Sequence, residues 1–344
     1  MMIAKAGSLF IGKGYPVSVQ TMYPSTIADK DPVQIVQEIS SLHSLGCDMI
    51  RFSFASADDS PNFSYIASHS VIPVVADIHF DYKMALLALK SGSHKVRINP
   101  GNIGAKWKTE EIVKAASDCG AAIRIGLNSG SLPAAKAGER CPEIMVRSAL
   151  EYLDWFQSWH FDNTVVSLKS SDENETMEAA RLLASLSDVP QHLGVTEAGS
   201  AVISAVRSTW ALGNLLKDGI GNTIRFSMTG DREDEVIAAS ELLRVLGLRK
   251  RGVRLVSCPR CGRNAFDTIS FERRIRKRLL SIDKDITVAI MGCLVNGPGE
   301  AKGADYAVTG MKDKTYIYKK GVLVSSVAPE NAEEALFEVI NTDE

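Results

Sequence analysis

No stretch of this 344-residue chain reaches the roughly 18 to 20 consecutive apolar residues that a membrane span needs. The N-terminal MMIAKAGSLFIGKGYPVSV breaks its apolar run with Gly and Lys and offers no cleavable apolar segment, so secretion is unsupported and a cytoplasmic protein is expected. An excess of one charge is also missing. Lys+Arg number 39 against Asp+Glu 41, a formal net charge of −2, so no global basic field calls for nucleic acid and any anion must be held locally. Cysteine is sparse: six in a chain that is 45% hydrophobic give no disulfide framework. Cys47 and Cys119 each stand beside a Gly before an apolar run and read as small buried thiols. Cys141 precedes a Pro at a helix start and reads as structural, with a loop role as the alternative. The remaining three cysteines cluster near the C-terminus.

Up to about residue 248 one unit recurs: a short apolar run, polar residues at its C-terminal end, then a helical stretch. The runs are PVSVQTM, CDMIRFSF, IPVVADIHF, HKVRINPGN, AAIRIGLNSG, NTVVSLKSSD, HLGVTEAGS and NTIRFSMTGD, eight in all. Between them the apolar period changes to 3.6, as in DPVQIVQEISSLHSLG and NETMEAARLLASLSD, with Pro or acidic residues near starts and Gly near several ends. Eight such units over about 250 residues predict a closed (β/α)8 TIM barrel spanning 1–248, with its active site at the C-terminal strand ends. An open doubly wound sheet competes, but no Gly-x-Gly-x-x-Gly turn follows the first strand.

The polar residues at those ends are expected to converge. In chain order they are Gln20, Thr21, Arg51, Asp77, His79, Arg97, Asn99, Arg124, Asn128, Ser167, Lys169, Thr196, Glu197, Arg225 and Ser227. Four arginines and a lysine at one mouth repel one another, a cost that an anionic ligand relieves, and guanidinium groups match phosphate oxygens in bidentate geometry. Any one of these arginines alone reads equally as a rim ion pair. Gly101 and Gly104 in RINPGNIG let backbone N–H groups approach a phosphate. Asp77 and His79 have the spacing of a metal pair but lack a third ligand. Glu197 suits a proton donor, with arginine orientation and rim packing as the alternatives. The other histidines, His43, His69, His94, His160 and His192, fall in helices or before strands, away from the mouth.

After LLRVLGLRKRG the pattern resets, and 249–344 reads as a small α/β domain. VRLVS leads into Cys258-Pro-Arg-Cys261-Gly, and ITVAIMG leads into Cys293 and then NGPGE, whose Glu300 is the fourth candidate ligand. Three thiolates and a carboxylate leave two metals open. Structural zinc prefers a second Cys-x-x-Cys or a His pair, whereas an iron–sulfur cubane with one weakly held iron keeps a position for an oxygen of a substrate. The basic helix SFERRIRKRLLSI lacks interleaved aromatics and reads as a solvated face or as a dock for an acidic partner such as a small electron-transfer protein.

These motifs together carry a resemblance. GCDMIRF, DIHFDY, VRINPGNIG, IRIGLNSGSL, GVTEAG, IRFSMTGD, SCPRCGR and MGCLVNGPGE stand where the 4-hydroxy-3-methylbut-2-enyl diphosphate synthases of the non-mevalonate isoprenoid pathway have theirs, over essentially the whole chain. The resemblance is to the short type, with no extra domain between the barrel and an iron–sulfur domain. It implies reductive ring opening of 2-C-methyl-D-erythritol 2,4-cyclodiphosphate to (E)-4-hydroxy-3-methylbut-2-enyl diphosphate and water, with electrons from reduced ferredoxin or flavodoxin. It implies a 4Fe-4S cluster on Cys258, Cys261, Cys293 and Glu300, Glu300 giving way when a substrate oxygen reaches iron. Arg51, Arg97, Arg124 and Lys169 resemble the diphosphate clamp, assisted by Asn128 and Ser227. His79 and Glu197 resemble the polar groups near the reacting carbons, Glu197 protonating the departing hydroxyl. The resemblance also implies a homodimer in which the cluster domain of one subunit closes the barrel of the other. IGKGYP and SFASAD depart from the family pattern without touching a proposed ligand.

Overall fold

The computed structural model describes residues 2–293, 299, 302–311 and 313–342. The chain divides into two compact units, Met1–Arg249 and Lys250–Glu344. Arg249 belongs with the first because its guanidinium donates to Gly46 O at 2.7 Å and pairs with Asp48.

The first unit opens with an antiparallel hairpin, β1 (Ile3–Ala6) and β2 (Leu9–Gly12), turned at Gly7 with φ 59°. Sequence reading does not anticipate it. Its residues Ala4, Ala6 and Ile11 are buried against Met49, Val75, Ala122 and Val165, which lie in the first or second positions of their strands. The hairpin therefore stops the N-terminal end of the barrel.

All eight expected strands follow: β3 (Ser18–Met22), β4 (Met49–Ser53), β5 (Val74–Asp77), β6 (Lys95–Ile98), β7 (Ala122–Asn128), β8 (Thr164–Lys169), β9 (His192–Leu193) and β10 (Thr223–Ile224). They run parallel in the order β8-β7-β6-β5-β4-β3-β10-β9, and the parallel bridge Val166↔Gln191 joins the two ends. The doubly wound alternative is thereby excluded. The seventh and eighth strands hold only two residues each, shorter than their apolar runs. At Gly194, just past β9, an added Cβ would lie 2.7 Å from Lys169 Nζ and 2.9 Å from Arg225 O, so the chain there yields its inward space to a neighbour's side chain.

Helices cover the strands as the 3.6 period requires. Pro32–Ser44 starts with Asp31 accepting from Val33 N and Pro32 in the first turn, and it buries Ile35, Ile39 and Leu42. Asp81 and Asp172 cap Tyr82–Lys90 and Glu173–Leu186 in the same way. Cys47 is buried, but Cys119 is exposed, contrary to expectation. It is the last residue of the helix Lys106–Cys119, and its thiol reaches back to Ala115 O at 3.1 Å instead of entering the strand that follows.

The second unit is a five-stranded sheet, β11 (Val253–Ser257), β12 (Ile286–Met291), β13 (Tyr306–Gly310), β14 (Thr315–Lys319) and β15 (Val322–Val327), in sequential order. The first three strands are parallel and the last two antiparallel. Helices Thr268–Leu280 and Ala332–Asn341 pack Phe271, Ile275, Leu279, Leu336, Phe337 and Ile340 onto Val253, Val288, Ile290 and Ile317. The basic helix is less available to an acidic partner than its sequence implies. Arg274 pairs with Glu333 at 2.9 Å, Arg278 with Glu334 at 2.7 Å and Arg276 with Glu272 at 2.6 Å.

Candidate active site

In a parallel strand every second side chain points into the barrel. Residues 51, 77, 97, 124, 128, 169, 225 and 227 therefore meet at the C-terminal ends. A cavity of about 210 Å³ there is lined by Arg51, Asp77, His79, Arg97, Arg124, Asn128, Ser167, Lys169, Thr196, Arg225 and Ser227, with Met22 and Val195. A larger cavity of about 480 Å³ lies away from these ends, and among the described residues its charged lining groups are Asp154 and Asp162, which would repel an anion.

Charge balance separates the cations. Asp77 accepts from Arg97 NH1 at 3.2 Å and sits 3.5 Å from Arg51 Nε. Glu235 takes both Arg225 NH2 and Nε, at 3.0 and 3.3 Å, together with the Thr21 hydroxyl at 2.7 Å and Met228 N at 3.0 Å. Arg124, 1% exposed, has no carboxylate partner among the described residues, and its buried Nε and NH1 have no hydrogen-bond acceptor there. Burial pushes the Asp77 carboxyl up, but Arg51, Arg97 and Arg124 outweigh it and hold it at about 2. Burial lowers Arg51 to about 10, with Asp77 opposing. Arg124 and Lys169 lie well below the values usual for their groups, through burial first and then through neighbouring cations.

Beneath this ring lie groups that sequence reading missed. Lys95, the first residue of β6, is fully buried, and its Nζ has no hydrogen-bond partner among the described residues. His192 does not lie away from the mouth. It is fully buried, with Nε2 3.1 Å from Lys169 Nζ and Nδ1 2.6 Å from Thr223 Oγ1. Burial, then Lys169 and Arg124, hold its imidazole well below its usual value. Six cations, Arg51, Lys95, Arg97, Arg124, Lys169 and Arg225, thus share the barrel interior with two carboxylates, Asp77 and Glu235. Glu235 was hidden because it belongs to the helix Arg232–Val245 rather than to a strand end. A signal was present in the glycines: at Gly126, in the interior of β7, a Cβ would strike Arg97 Nε.

Other expected residues fall outside the cluster. Glu197 is exposed, does not line the cavity, and has a left-handed backbone with φ 54°. Its loop is pinned by Thr196 N on Ser170 O at 3.1 Å and Thr229 N on Gly199 O at 2.9 Å. His79 is exposed on the cavity wall. Gln20 is buried below, and both polar atoms of its amide lack partners among the described residues. The RINPGNIG glycines do not present free N–H groups. Gly101 N donates to Asn99 Oδ1 at 3.1 Å and Gly104 N to Pro100 O at 3.1 Å, because this segment coils into the short helix Pro100–Ile103.

In the second unit Cys258 follows β11 and Cys293 follows β12, at the same end of neighbouring parallel strands. Cys258 N donates to Ile290 O at 2.9 Å, and Thr268 and Thr309 hydroxyls hold the Cys258 and Cys293 carbonyls at 3.0 and 3.2 Å. The turn carrying Cys261 folds back onto β12 through Ala265 N on Gly292 O at 2.8 Å, and a Cβ at Gly292 would strike Asn264. The N–H and side chain of Arg263 pull the exposed Cys261 thiol below its usual value, toward the thiolate that binds metal. Among the described residues no three Cys, His, Asp or Glu side chains close on a metal position. Glu300 lies outside the described residues. Cys258 and Cys293 stand at one sheet end and Cys261 on the turn that follows, and free thiols are the donor type of a thiolate-held metal group.

Residues 3–240 match a family model described as GcpE TIM-barrel domain, and residues 254–342 one described as GcpE protein C-terminal domain. The chain is 43% identical to 4-hydroxy-3-methylbut-2-en-1-yl diphosphate synthase (flavodoxin) of Caldicellulosiruptor saccharolyticus, over 98% of this chain and 97% of that protein. The synthase of the same description from Treponema denticola is 42% identical over 92% and 87%. Among solved structures, dihydropteroate synthase of Xanthomonas albilineans with 4-aminobenzoic acid superposes with a TM-score of 0.51 at 12% identity, covering 72% of this chain and 98% of that one. That likeness concerns the barrel fold alone.

Proposed function

Because this chain belongs to the GcpE family, we propose that it carries out the family's reductive ring opening at the cation-lined cavity of its barrel. The chain is an oxidoreductase that converts 2-C-methyl-D-erythritol 2,4-cyclodiphosphate into (E)-4-hydroxy-3-methylbut-2-enyl diphosphate, with flavodoxin or ferredoxin supplying electrons. In ionised form, the cyclic dianion, two electrons and one proton give the linear trianion and water. The observation that carries this reading is Arg124, a buried guanidinium with unpartnered N–H groups at the foot of a cavity rich in further cations.

Arg51, Arg97, Arg124 and Lys169 clamp the two phosphates, with Asn128 and Ser227 contributing neutral hydrogen bonds at the rim. Within this set Arg124 and Lys169 have no carboxylate to share among the described residues, so they gain most from the anion. Asp77 holds Arg51 and Arg97 side by side, and Glu235 fixes Arg225 at the edge. His79 borders the reacting carbons. Glu197 donates the proton that leaves with the hydroxyl as water; its left-handed backbone, a conformation that costs a non-glycine residue about 1 kcal/mol or more, supports a positional role.

Cys258, Cys261, Cys293 and Glu300 hold a 4Fe-4S cluster. When bound, that group supplies single electrons and an iron open to an oxygen ligand. The exposed apolar stripe Val202, Ile203, Val206 and Trp210 on the helix Ala201–Lys217 supports association into a homodimer, in which the cluster domain of one subunit would close the barrel of the other. Sedimentation as a monomer at assay concentration would contradict the dimer. A cytoplasmic setting keeps the thiols reduced.

Anaerobic purification tests the reading. The protein should be brown, contain about four irons per chain, and turn over the cyclic diphosphate with reduced flavodoxin. A colourless protein with stoichiometric zinc and no turnover would refute it.

A further inference from the structure

Lys169 Nζ and His192 Nε2 are 3.1 Å apart, inside a barrel wall where the two residues are 7% and 0% exposed. The charged groups that act on the pair are Arg51 on β4, Lys95 and Arg97 on β6, Arg124 on β7 and Arg225 just past β10. All are cations. The nearby carboxylates are engaged elsewhere, Asp77 in the cavity by Arg51 and Arg97, and Glu235 on the helix Arg232–Val245 by Arg225 and Thr21. With every cation protonated and no anion present, this interior is at its least favourable. A guanidinium holds its proton nearly everywhere, whereas an ammonium or an imidazolium gives it up in a buried site, so the adjustment falls on Lys95, Lys169 and His192, of which Lys169 lines the cavity and touches His192. The same direction follows from burial and from Arg124, Arg51, Arg225 and Arg97, which hold Lys169 well below the usual ammonium value.

We propose that Lys169 and His192 form one proton-accepting pair, short of a proton while the cavity is empty and charged from solvent when an anionic diphosphate enters. His192 is then a positioning residue that acts through Lys169, with Thr223 Oγ1 fixing its other nitrogen. The proposal rests on the diphosphate reading of the cavity. Each phosphorus of a cyclic diphosphate carries one strongly acidic hydroxyl, so the ligand has no group that titrates near neutrality. Any proton taken up on binding is therefore taken up by the protein. Ring opening adds one negative charge to the ligand, and a pair already charged meets it.

The test is calorimetric titration of the anaerobic, cluster-loaded chain with the cyclic diphosphate at about pH 7.5, in buffers of different ionisation enthalpy. The observed enthalpy should vary with the buffer in the sense of net proton uptake, and affinity should fall as pH rises. Lys169→Met and His192→Asn should each lose most of the buffer dependence, a readout that a merely structural defect would not move. Wild-type binding with the same enthalpy in every buffer overturns the proposal and leaves the diphosphate site standing, whereas no binding at all overturns both. Uptake that survives Lys169→Met also overturns it, and that variant decides the matter if His192→Asn does not fold.

Discussion

Arg124 heads the fully buried side chains by volume, and an arginine there is costly unless something pairs with it. Its Nε and Nη1 have no acceptor among the described residues, which a phosphate of the proposed substrate would supply. Arg124→Ala is expected to weaken binding of the cyclic diphosphate by about 1 to 3 kcal/mol, the scale of a charge-assisted hydrogen bond, as measured by calorimetry. Unchanged affinity would remove it from the clamp. Glu197 is a different case, exposed and outside the cavity lining. Glu197→Gln should bind substrate with near-normal affinity and turn over slowly; normal turnover would end its assignment as the acid. The arginines were legible because a charge set into the tip of an apolar run costs burial energy that a packed core alone would not tolerate. Lys95 and His192 were not, since a polar residue opening a strand reads as a loop residue until the register turns it inward.

At the scale of elements, Asp77 ties three strands together, β5 to Arg51 on β4 and to Arg97 on β6. Its carboxyl, held at about 2, lies below its ordinary value near 4. The folded state therefore prefers the ionised form, and that stabilisation is present above about pH 4 and is lost as pH falls through about 2. Asp77→Asn should flatten the acid limb of a pH–stability curve between those limits, followed by urea unfolding, and an unchanged limb would deny the linkage. The eight-strand repeat was visible because each strand is a separate apolar run with its own polar tip. What the runs conceal is where pairing stops. β9 and β10 hold two residues each, and just past β9 Gly194 leaves room for Lys169, a long-range fact with no local trace. The opening hairpin was equally hidden, for AKAGSLFIG is too brief to show a period.

At the scale of the whole molecule, each of the two units has a hydrophobic core of its own among the described residues. One lies within the barrel unit and the other between the helices and sheet of the cysteine unit. Cys293→Ser is accordingly expected to abolish iron content and turnover while leaving the barrel folded, with the cation cluster intact. Iron assay and circular dichroism melting would check this, and loss of the entire thermal transition would contradict the independence of the cores. The cysteine spacing was readable from sequence, whereas the pairing of basic Arg274 and Arg278 with Glu333 and Glu334 was not, because those carboxylates belong to the last helix.

The hairpin at the N-terminal end has a consequence for traffic. With Ala4, Ala6 and Ile11 seated against the starts of the strands, the barrel is a cup and not a tunnel. Whatever enters among the arginines has to leave by the same rim, against the pull of the cations that drew it in. The linear diphosphate carries one more negative charge than the ring it came from.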